Sequence, residues 1–325
     1  MSIDVSIIIV NWNTRSLLEK CLSSLSNSAD EMLLQIIVVD NASSDNSVEY
    51  IRRHFPQVRL ICNDKNAGFA AANNQGLKLA EGRNILFLNS DTVVHKGALK
   101  AMSDLLDADP KIGLCTCTLL NENGSIQPNV HQFPTFRAML YRYTVLKYVG
   151  LFRSARSSYR MRDFSYDKTA PVDQVMGAAI MAKRSLFEQI AAWDENLFFY
   201  FEETDLCYRA RKAGFLTYFT PTGRITHIGR ASSSLLSSHT THAMFFKSML
   251  YYFRKHKGSL RTSLFAIIFK LGVYLYMFCE MLLGFGAASI YWCLRHDNRK
   301  IHRKLQRCRQ SFLFLAKDSL SFLLY

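Results

Sequence analysis

Residues 5–14 read VSIIIVNWNT, and this stretch decides the fold. Its first six residues are an apolar, β-branched run, the mark of a strand covered on both faces in a parallel sheet. The run stops at the polar triplet Asn11-Trp12-Asn13. Thr14 is positioned to cap a helix reaching about Ser26, in which Leu17, Leu18, Cys21, Leu22 and Leu25 recur at helical spacing. The same alternation continues outward. A buried strand is expected over Gln35 to Val39, a helix over Val48 to His54, a strand over Val58 to Cys62, a helix over Phe69 to Ala80 stopped by Gly82, and a strand over Asn84 to Leu88. Such β-α-β alternation predicts an α/β fold with a mostly parallel central sheet flanked by helices, and ligands in such sheets sit beyond the carboxyl ends of the strands.

Those ends carry the polar residues. Strand one runs into Asn11, Trp12 and Asn13, strand two into Asp40 to Asp45, strand three into Asn63 to Asn66, and strand four into Asn89-Ser90-Asp91-Thr92. Further on, Pro134 to Thr169 mixes Arg and Lys with Tyr and Phe and reads as a variable, partly mobile segment at the mouth of the site. A strand near Val172 to Val175, a helix from about Arg184, the triplet Trp193-Asp194-Glu195, and a helix from Glu202 to Ala213 ended by Gly214 complete the pattern, with His227 after a strand-like segment.

Composition excludes several classes. The chain has 325 residues, 49% hydrophobic and 20% charged, with 15 Gly and 6 Pro, which is globular and neither disordered nor collagen-like. Its 8 cysteines are scattered without C-x-x-C spacing and read as reduced, buried thiols of a cytosolic protein. The apolar run at residues 5–10 is expected to be the first strand rather than a signal peptide, since Asp4 precedes it and no basic segment does. No G-x-x-x-x-G-K loop and no G-x-S-x-G elbow occurs, and the one G-x-G lies in an apolar helix-like run. What remains is a set of oxygen donors, Asp40, Asp91, the Glu202-Glu203-Thr204-Asp205 cluster, and His227, suited to a hard divalent ion bridging phosphates.

The ordered series VSIIIVNWNT (5–14), IIVVDNASSDNSVEYI (36–51), NDKNAGFAAANNQGL (63–77), ILFLNSDTVV (85–94), VMGAAIMAKRSLFEQI (175–190), WDENLFFYFEETDLCYRARKAG (193–214) and ITHIGRAS (225–232) closely resembles family 2 glycosyltransferases. It is most similar to the bacterial rhamnosyltransferase-type enzymes of surface-polysaccharide assembly. The resemblance implies a GT-A fold and inverting transfer of a sugar from a nucleotide-sugar, with Mg2+ or Mn2+ as cofactor. It assigns Asp40 to the nucleotide base, against the plainer role of capping the turn that follows it. Asn11, Trp12, Asn13, Asn66 and Asn89 line the donor. Asp91 matches the last Asp of a D-x-D-like metal motif that here reads Asn89-Ser90-Asp91, and His227 matches a His that completes the metal shell or touches the diphosphate. Glu203 falls where the family has the second acid of an E-D pair, the catalytic base, with Glu202 and Asp205 as neighbouring candidates; acids in a first helical turn also stabilise the helix dipole. Trp193 and Asp194 are candidate acceptor contacts or simply packed residues.

The expected division is a catalytic domain over 1–250, its nucleotide half 1–94 and acceptor half 95–250, followed by a basic, apolar tail over 251–325. The formal charge is +14, and the tail holds thirteen Lys and Arg against three acids. Between Leu264 and Leu294 it is apolar apart from Lys270 and Glu280, followed by the cationic run Arg295 to Arg309 and a second apolar stretch from Phe312. Phe278, Leu282 and Phe285 form one face, and Tyr276, Gly284, Ala287 and Tyr291 a less apolar one. This pattern fits a helix lying in the interface of an anionic leaflet better than a span. The expected setting is therefore the cytoplasmic face of the inner membrane, peripheral or monotopic, with a lipid-linked oligosaccharide as acceptor and dTDP-L-rhamnose as donor. UDP- or GDP-linked sugars are the alternatives for that donor. A non-enzymatic nucleic-acid-binding protein is the rival class; it is disfavoured, and nucleic acid is not expected as a partner, because the strand ends are acidic and would repel phosphate without a metal.

Overall fold

The structure is a computed structural model and describes residues 2–28, 32–229 and 238–294, with residues 305, 306 and 309. The chain forms two compact units, one of residues 1–133 and 161–233, the other of residues 134–160 and 234–325, so the break does not fall at residue 250.

The first unit opens with β1 (Val5–Asn11), α1 (Arg15–Ser26), β2 (Leu34–Asp40), α2 (Ser47–His54), β3 (Arg59–Cys62), α3 (Phe69–Leu77) and β4 (Asn84–Asn89). These four strands are parallel in the order β3-β2-β1-β4. The buried runs decide this: Val5, Ile7, Ile9, Leu86 and Leu88 pack to one side with α1, while Ile8, Ile37, Val39, Ile85 and Phe87 pack to the other with α3. Both faces of each strand are thus apolar, as a helix-covered parallel sheet requires.

Beyond β4 the sheet becomes mixed. β5 (Thr92–Val94), α4 (Ala98–Ala108), β6 (Ile112–Leu120) and β7 (Val130–His131) follow, and the chain leaves the unit at 134. The second unit's first segment holds α5 (Phe136–Tyr143), a 3-10 turn at Val145–Lys147 and α6 (Arg153–Tyr159). Returning, the first unit adds β8 (Ala170–Val172), β9 (Gln174–Val175), β10 (Ala179–Lys183), the short α7 (Leu186–Gln189), α8 (Glu202–Lys212) and β11 (Leu216–His227). β10 inserts antiparallel between β4 and β6, and β11 pairs parallel with β6 but antiparallel with β5 and β8.

Three local expectations change. The strand foreseen over 172–175 is split at Asp173, with β8 joining β11 and β9 joining β7 in a separate small sheet. The helix foreseen from Arg184 is a single turn. Thr14 does not cap α1: the first helical amide, Arg15 N, donates to Asp45 Oδ2 (2.8 Å) from the loop after β2. Among the described cysteines, Cys21, Cys115, Cys117 and Cys207 are buried, but Cys62 is exposed and Cys279 half-buried, so burial is not general.

In the second unit, residues 134–160 are helical rather than irregular and pack with α9 (Ser238–Lys257) and α10 (Ser259–Leu294). Phe136 stacks on Phe265 (4.5 Å between centroids) and meets Phe253 edge-on (4.6 Å), over the buried Phe246, Tyr252 and Phe269. Gly272 permits close approach, since a Cβ there would come within 2.8 Å of Thr144 Cγ2. The buried face of α10 is Phe265, Phe269, Val273 and Met277. Its opposite face exposes Leu260, Leu264, Ile267, Leu271, Leu275, Phe278 and Leu282, spaced three or four residues apart. Glu280 accepts the Tyr148 hydroxyl at 2.6 Å. Residues 259–283 are long and apolar enough to cross a membrane, with a mean hydropathy of 1.8 over their most apolar 18 residues. The cationic run and the stretch from Phe312 lie outside the described residues apart from 305, 306 and 309, as do the side chains of Gly284, Phe285, Ala287 and Tyr291.

Candidate active site

Strand register brings the polar ends together. Asn11 lies opposite Asp40, and Val10 opposite Asn89. Asp40 is 1% exposed and accepts Ser43 N at Oδ1 and Asn11 Nδ2 at Oδ2, both at 2.8 Å. Each oxygen keeps a further lone pair. Its visible work is to hold the loop after β2 against β1. Asn13, in the left-handed region at φ 53°, receives Ser44 N at Oδ1 (2.7 Å) and gives its own amide to Ser43 Oγ (2.9 Å). Trp12 stands half-buried beside it. Asn66 accepts Gly68 N at 2.9 Å. Gly68 is glycine for two reasons: φ is +85°, and a Cβ would meet Phe198 Cδ2 at 2.6 Å. Thr14, rather than capping, joins Asn11 Oδ1 (2.7 Å) to Ser90 Oγ (2.8 Å) and so ties the ends of β1 and β4.

The turn after β4 meets the end of β11, because β5 and β11 pair antiparallel with His227 opposite Thr92. His227 Nε2 lies 3.4 Å from Asp91 Oδ1 and 3.4 Å from Asn89 Nδ2, with both His227 and Asp91 buried. Carboxylate oxygen and imidazole nitrogen therefore converge, as sequence reasoning expected.

Asn89 N donates to Ala178 O (2.9 Å), which fastens the Gly177-Ala178 turn to β4, and Gly177 faces Glu203. Two left-handed residues, Tyr200 (φ 72°) and Phe201 (φ 68°), swing the chain into α8 at this point. Such backbone is costly for aromatic residues and clusters at functional sites. The three acids of the first turn are in different states. Glu202 is buried, its Oε2 has no hydrogen-bond partner among the described residues, and burial together with the neighbouring Glu203 charge pushes its carboxyl well up. Glu203 is half-buried, and desolvation pushes its carboxyl up to about 7, against backbone amides that pull it down. Asp205 is fully buried in an ion pair with Arg209 Nε (2.7 Å), whose guanidinium also holds Ala191 O and Ala192 O (the latter 2.7 Å). That geometry gives Asp205 the role of bracing the loop before Trp193.

Trp193 is 3% exposed and meets Phe87 (4.9 Å) and Phe69 (5.5 Å) edge-on, so its position supports packing rather than acceptor contact. Asp194 Oδ1 accepts Asn196 N (3.0 Å) in its own turn. Asn74 of α3, which sequence reasoning missed, clamps this loop by accepting Trp193 N (2.9 Å) and donating to Trp193 O (2.9 Å). Gln127, 2.7 Å from His227 Nδ1, was also missed, and nothing in its local sequence points to it.

Residues 6–189 match the family profile described as Glycosyl transferase family 2. An N-acetylglucosaminyl-diphospho-decaprenol L-rhamnosyltransferase of Mycobacterium tuberculosis is 26% identical over 251 residues, covering 72% of this chain and 80% of its own. The dTDP-rhamnosyl transferase RfbF of Shigella flexneri is 24% identical over 230 residues, 70% of each chain. Among solved structures, the mannosyltransferase PcManGT from Pyrobaculum calidifontis, in complex with GDP-Man and Mn2+, has a TM-score of 0.56 at 15% identity and covers 98% of this chain and 87% of that one. At that identity the likeness is one of fold.

Proposed function

Because the chain belongs to glycosyl transferase family 2, we propose that it moves L-rhamnose from dTDP-rhamnose onto a lipid-linked oligosaccharide, with inversion, in surface polysaccharide assembly. The enzyme is a glycosyltransferase of rhamnosyltransferase type. The observation that carries the mechanism is Glu203: a half-buried carboxylate beside Gly177, raised to about 7 by desolvation, whose i+3 and i+4 neighbours in α8, Leu206 and Cys207, offer no cation. A base with that value is ionised near neutrality and still strong enough to accept the proton of an acceptor hydroxyl as the sugar leaves the diphosphate. Burial and the Glu203 charge push the Glu202 carboxyl well up, which disfavours a second negative charge beside Glu203.

Asp91 and His227 suit a divalent ion, Mg2+ or Mn2+, since an oxygen and a nitrogen ligand face one another at 3.4 Å. Among the described residues no third His, Cys, Asp or Glu joins them, which leaves the rest of the shell to phosphate oxygens and water. A bound ion would offset the charge of the departing diphosphate. Asn11, Trp12, Asn13, Asp40, Asn66 and Asn89 bound the donor end within residues 1–94, and residues 95–133 and 161–229 of the same unit supply the acceptor side. Trp193 and Asp194 support that side indirectly, by packing and by the turn.

A lipid-linked acceptor brings the enzyme to the cytoplasmic face of the inner membrane. The aliphatic stripe of α10 fits in-plane attachment, because the opposite face is already covered by α5 and α9, whose Arg142, Lys247 and Arg254 do not suit a bilayer core. High salt or alkaline carbonate should release such a protein from membranes, whereas release by detergent alone would favour insertion. The function is tested by a donor screen against a lipid-diphosphate acceptor, following nucleoside diphosphate release. Turnover with dTDP-rhamnose supports the reading; turnover only with a UDP- or GDP-sugar moves the donor, and none with any donor sinks it.

A further inference from the structure

The hydrogen-bond polarity around His227 is fixed from outside the ring. Gln127 lies in the loop between β6 and β7, held there by its amide on Leu119 O (2.8 Å). Its Nε2 sits 3.3 Å from His227 O and 3.0 Å from Asn121 Oδ1, and its Oε1 sits 2.7 Å from His227 Nδ1. Which end of an amide is oxygen must be argued from partners. Here two partners are backbone carbonyls, which only accept. His227 O demands the NH2 of Gln127. Ser125 O, 3.3 Å from Asn121 Nδ2, demands the NH2 of Asn121 and leaves Asn121 Oδ1 as an acceptor for Gln127 as well. Gln127 therefore turns its oxygen to the ring, and a contact of 2.7 Å between that oxygen and Nδ1 requires the ring proton to be on Nδ1.

The consequence lies on the other side of the imidazole. With the proton on Nδ1, Nε2 carries a lone pair, and that lone pair faces Asp91 Oδ1 across 3.4 Å with Asn89 Nδ2 beside it at the same distance. Asn89 Nδ2 can donate to that lone pair at 3.4 Å, and Nε2 and Asp91 Oδ1 stand side by side as two acceptors that one cation could bind together. We propose that Gln127 is a positioning residue that locks His227 in the Nδ1–H tautomer, so that Nε2 is presented with Asp91 as a ready-made ligand pair, and that the Asn121–Ser125 turn sets the polarity of the lock. The proposal rests on the metal part of the proposed function. Residues that orient a ligating His in this way typically change metal affinity by about 10- to 100-fold when removed.

The test uses the full-length protein in detergent with 15N-labelled histidine, metal-free, at pH 8. Ring nitrogen shifts of His227, identified by their loss in His227→Gln, should report Nδ1–H and a bare Nε2. In Gln127→Met, a near-isosteric change that removes the amide oxygen and NH2, the ring should shift towards Nε2–H, and Mn2+ affinity in the presence of dTDP, followed by EPR, should fall about 10- to 100-fold. Gln127→Glu, which still accepts from Nδ1–H, should keep the wild-type ring signature and recover most of the affinity. Asn121→Ala, farther from the ring and on an exposed turn, should show a smaller loss in the same direction if Gln127→Met proves unstable. A proton on Nε2 in the wild type, or unchanged Mn2+ affinity in a folded Gln127→Met, would overturn the proposal. Absence of Mn2+ binding in the wild type would overturn the ligand role and the metal reading together, whereas normal Mn2+ binding with no sugar transfer would fail the transfer reading alone.

Discussion

The start of α8 and the turn after β4 both put acidic residues at the edge of one sheet, and they do it in opposite ways. Around Asp91 and His227 the polar groups are held by partners on all sides, from Asn89 on β4, Gln127 beyond β6 and the pairing of β5 with β11. At α8 the counter-charge is withheld: Arg209 goes to Asp205, and Glu202 and Glu203 are left to burial. The first arrangement fixes where a ligand atom is. The second raises a carboxylate to a value at which it can exchange a proton. A binding site needs geometry and a base needs poise, and the difference between these regions is what each omits.

The comparison breaks most visibly at Glu203. Glu203→Gln is expected to lower kcat by about 10²- to 10⁴-fold with donor binding nearly intact. Loss in Glu202→Gln or Asp205→Asn with retention in Glu203→Gln would move the base to that neighbour. Next in size is the Asp205–Arg209 ion pair, which braces the loop before Trp193. Asp205→Ala removes the buried end of the pair and leaves the partly buried Arg209 without its counter-charge, held only by Ala191 O and Ala192 O, and should cost up to about 3 kcal/mol in denaturant unfolding, whereas a change below about 1 kcal/mol would mean the pair behaves like an exposed one. On the other side of the comparison, Asp91→Ala should remove the Mn2+-dependent part of dTDP affinity in calorimetry, and unchanged affinity with metal present would remove its role.

The smallest effects are in pH. Both α8 glutamates are raised above the usual 4.5, so each contributes stability that is full below that value and is lost as pH rises through its folded value, about 7 for Glu203. Glu202→Gln should therefore gain on the wild type in thermal unfolding as pH rises from 4 to 8. It should leave the acidic limb of kcat/KM near pH 7, since that limb belongs to Glu203. A limb that moves with Glu202→Gln would show that the two share their proton.

The sequence by itself determined the parallel half of the sheet and the polar residues at its ends. Buried parallel strands must be apolar on both faces, and runs such as VSIIIV and ILFL meet that demand locally. It also marked the acids of α8 and the basic, apolar character of the C-terminal segment, which are matters of composition. Tertiary structure alone decided the rest. That β11 returns beside β5, bringing His227 to Asp91 across 136 positions of chain, follows from strand pairing, which no local period encodes. That Asp205 braces a loop follows from where one guanidinium reaches, and that Glu203 stays poised follows from the packing that desolvates it. That Trp193 is core follows from the rings of Phe69 and Phe87 closing on it. Residue type fixes what a side chain can do. Which of those things it does is set by the groups that other parts of the chain bring within about 3 Å, the reach of a hydrogen bond.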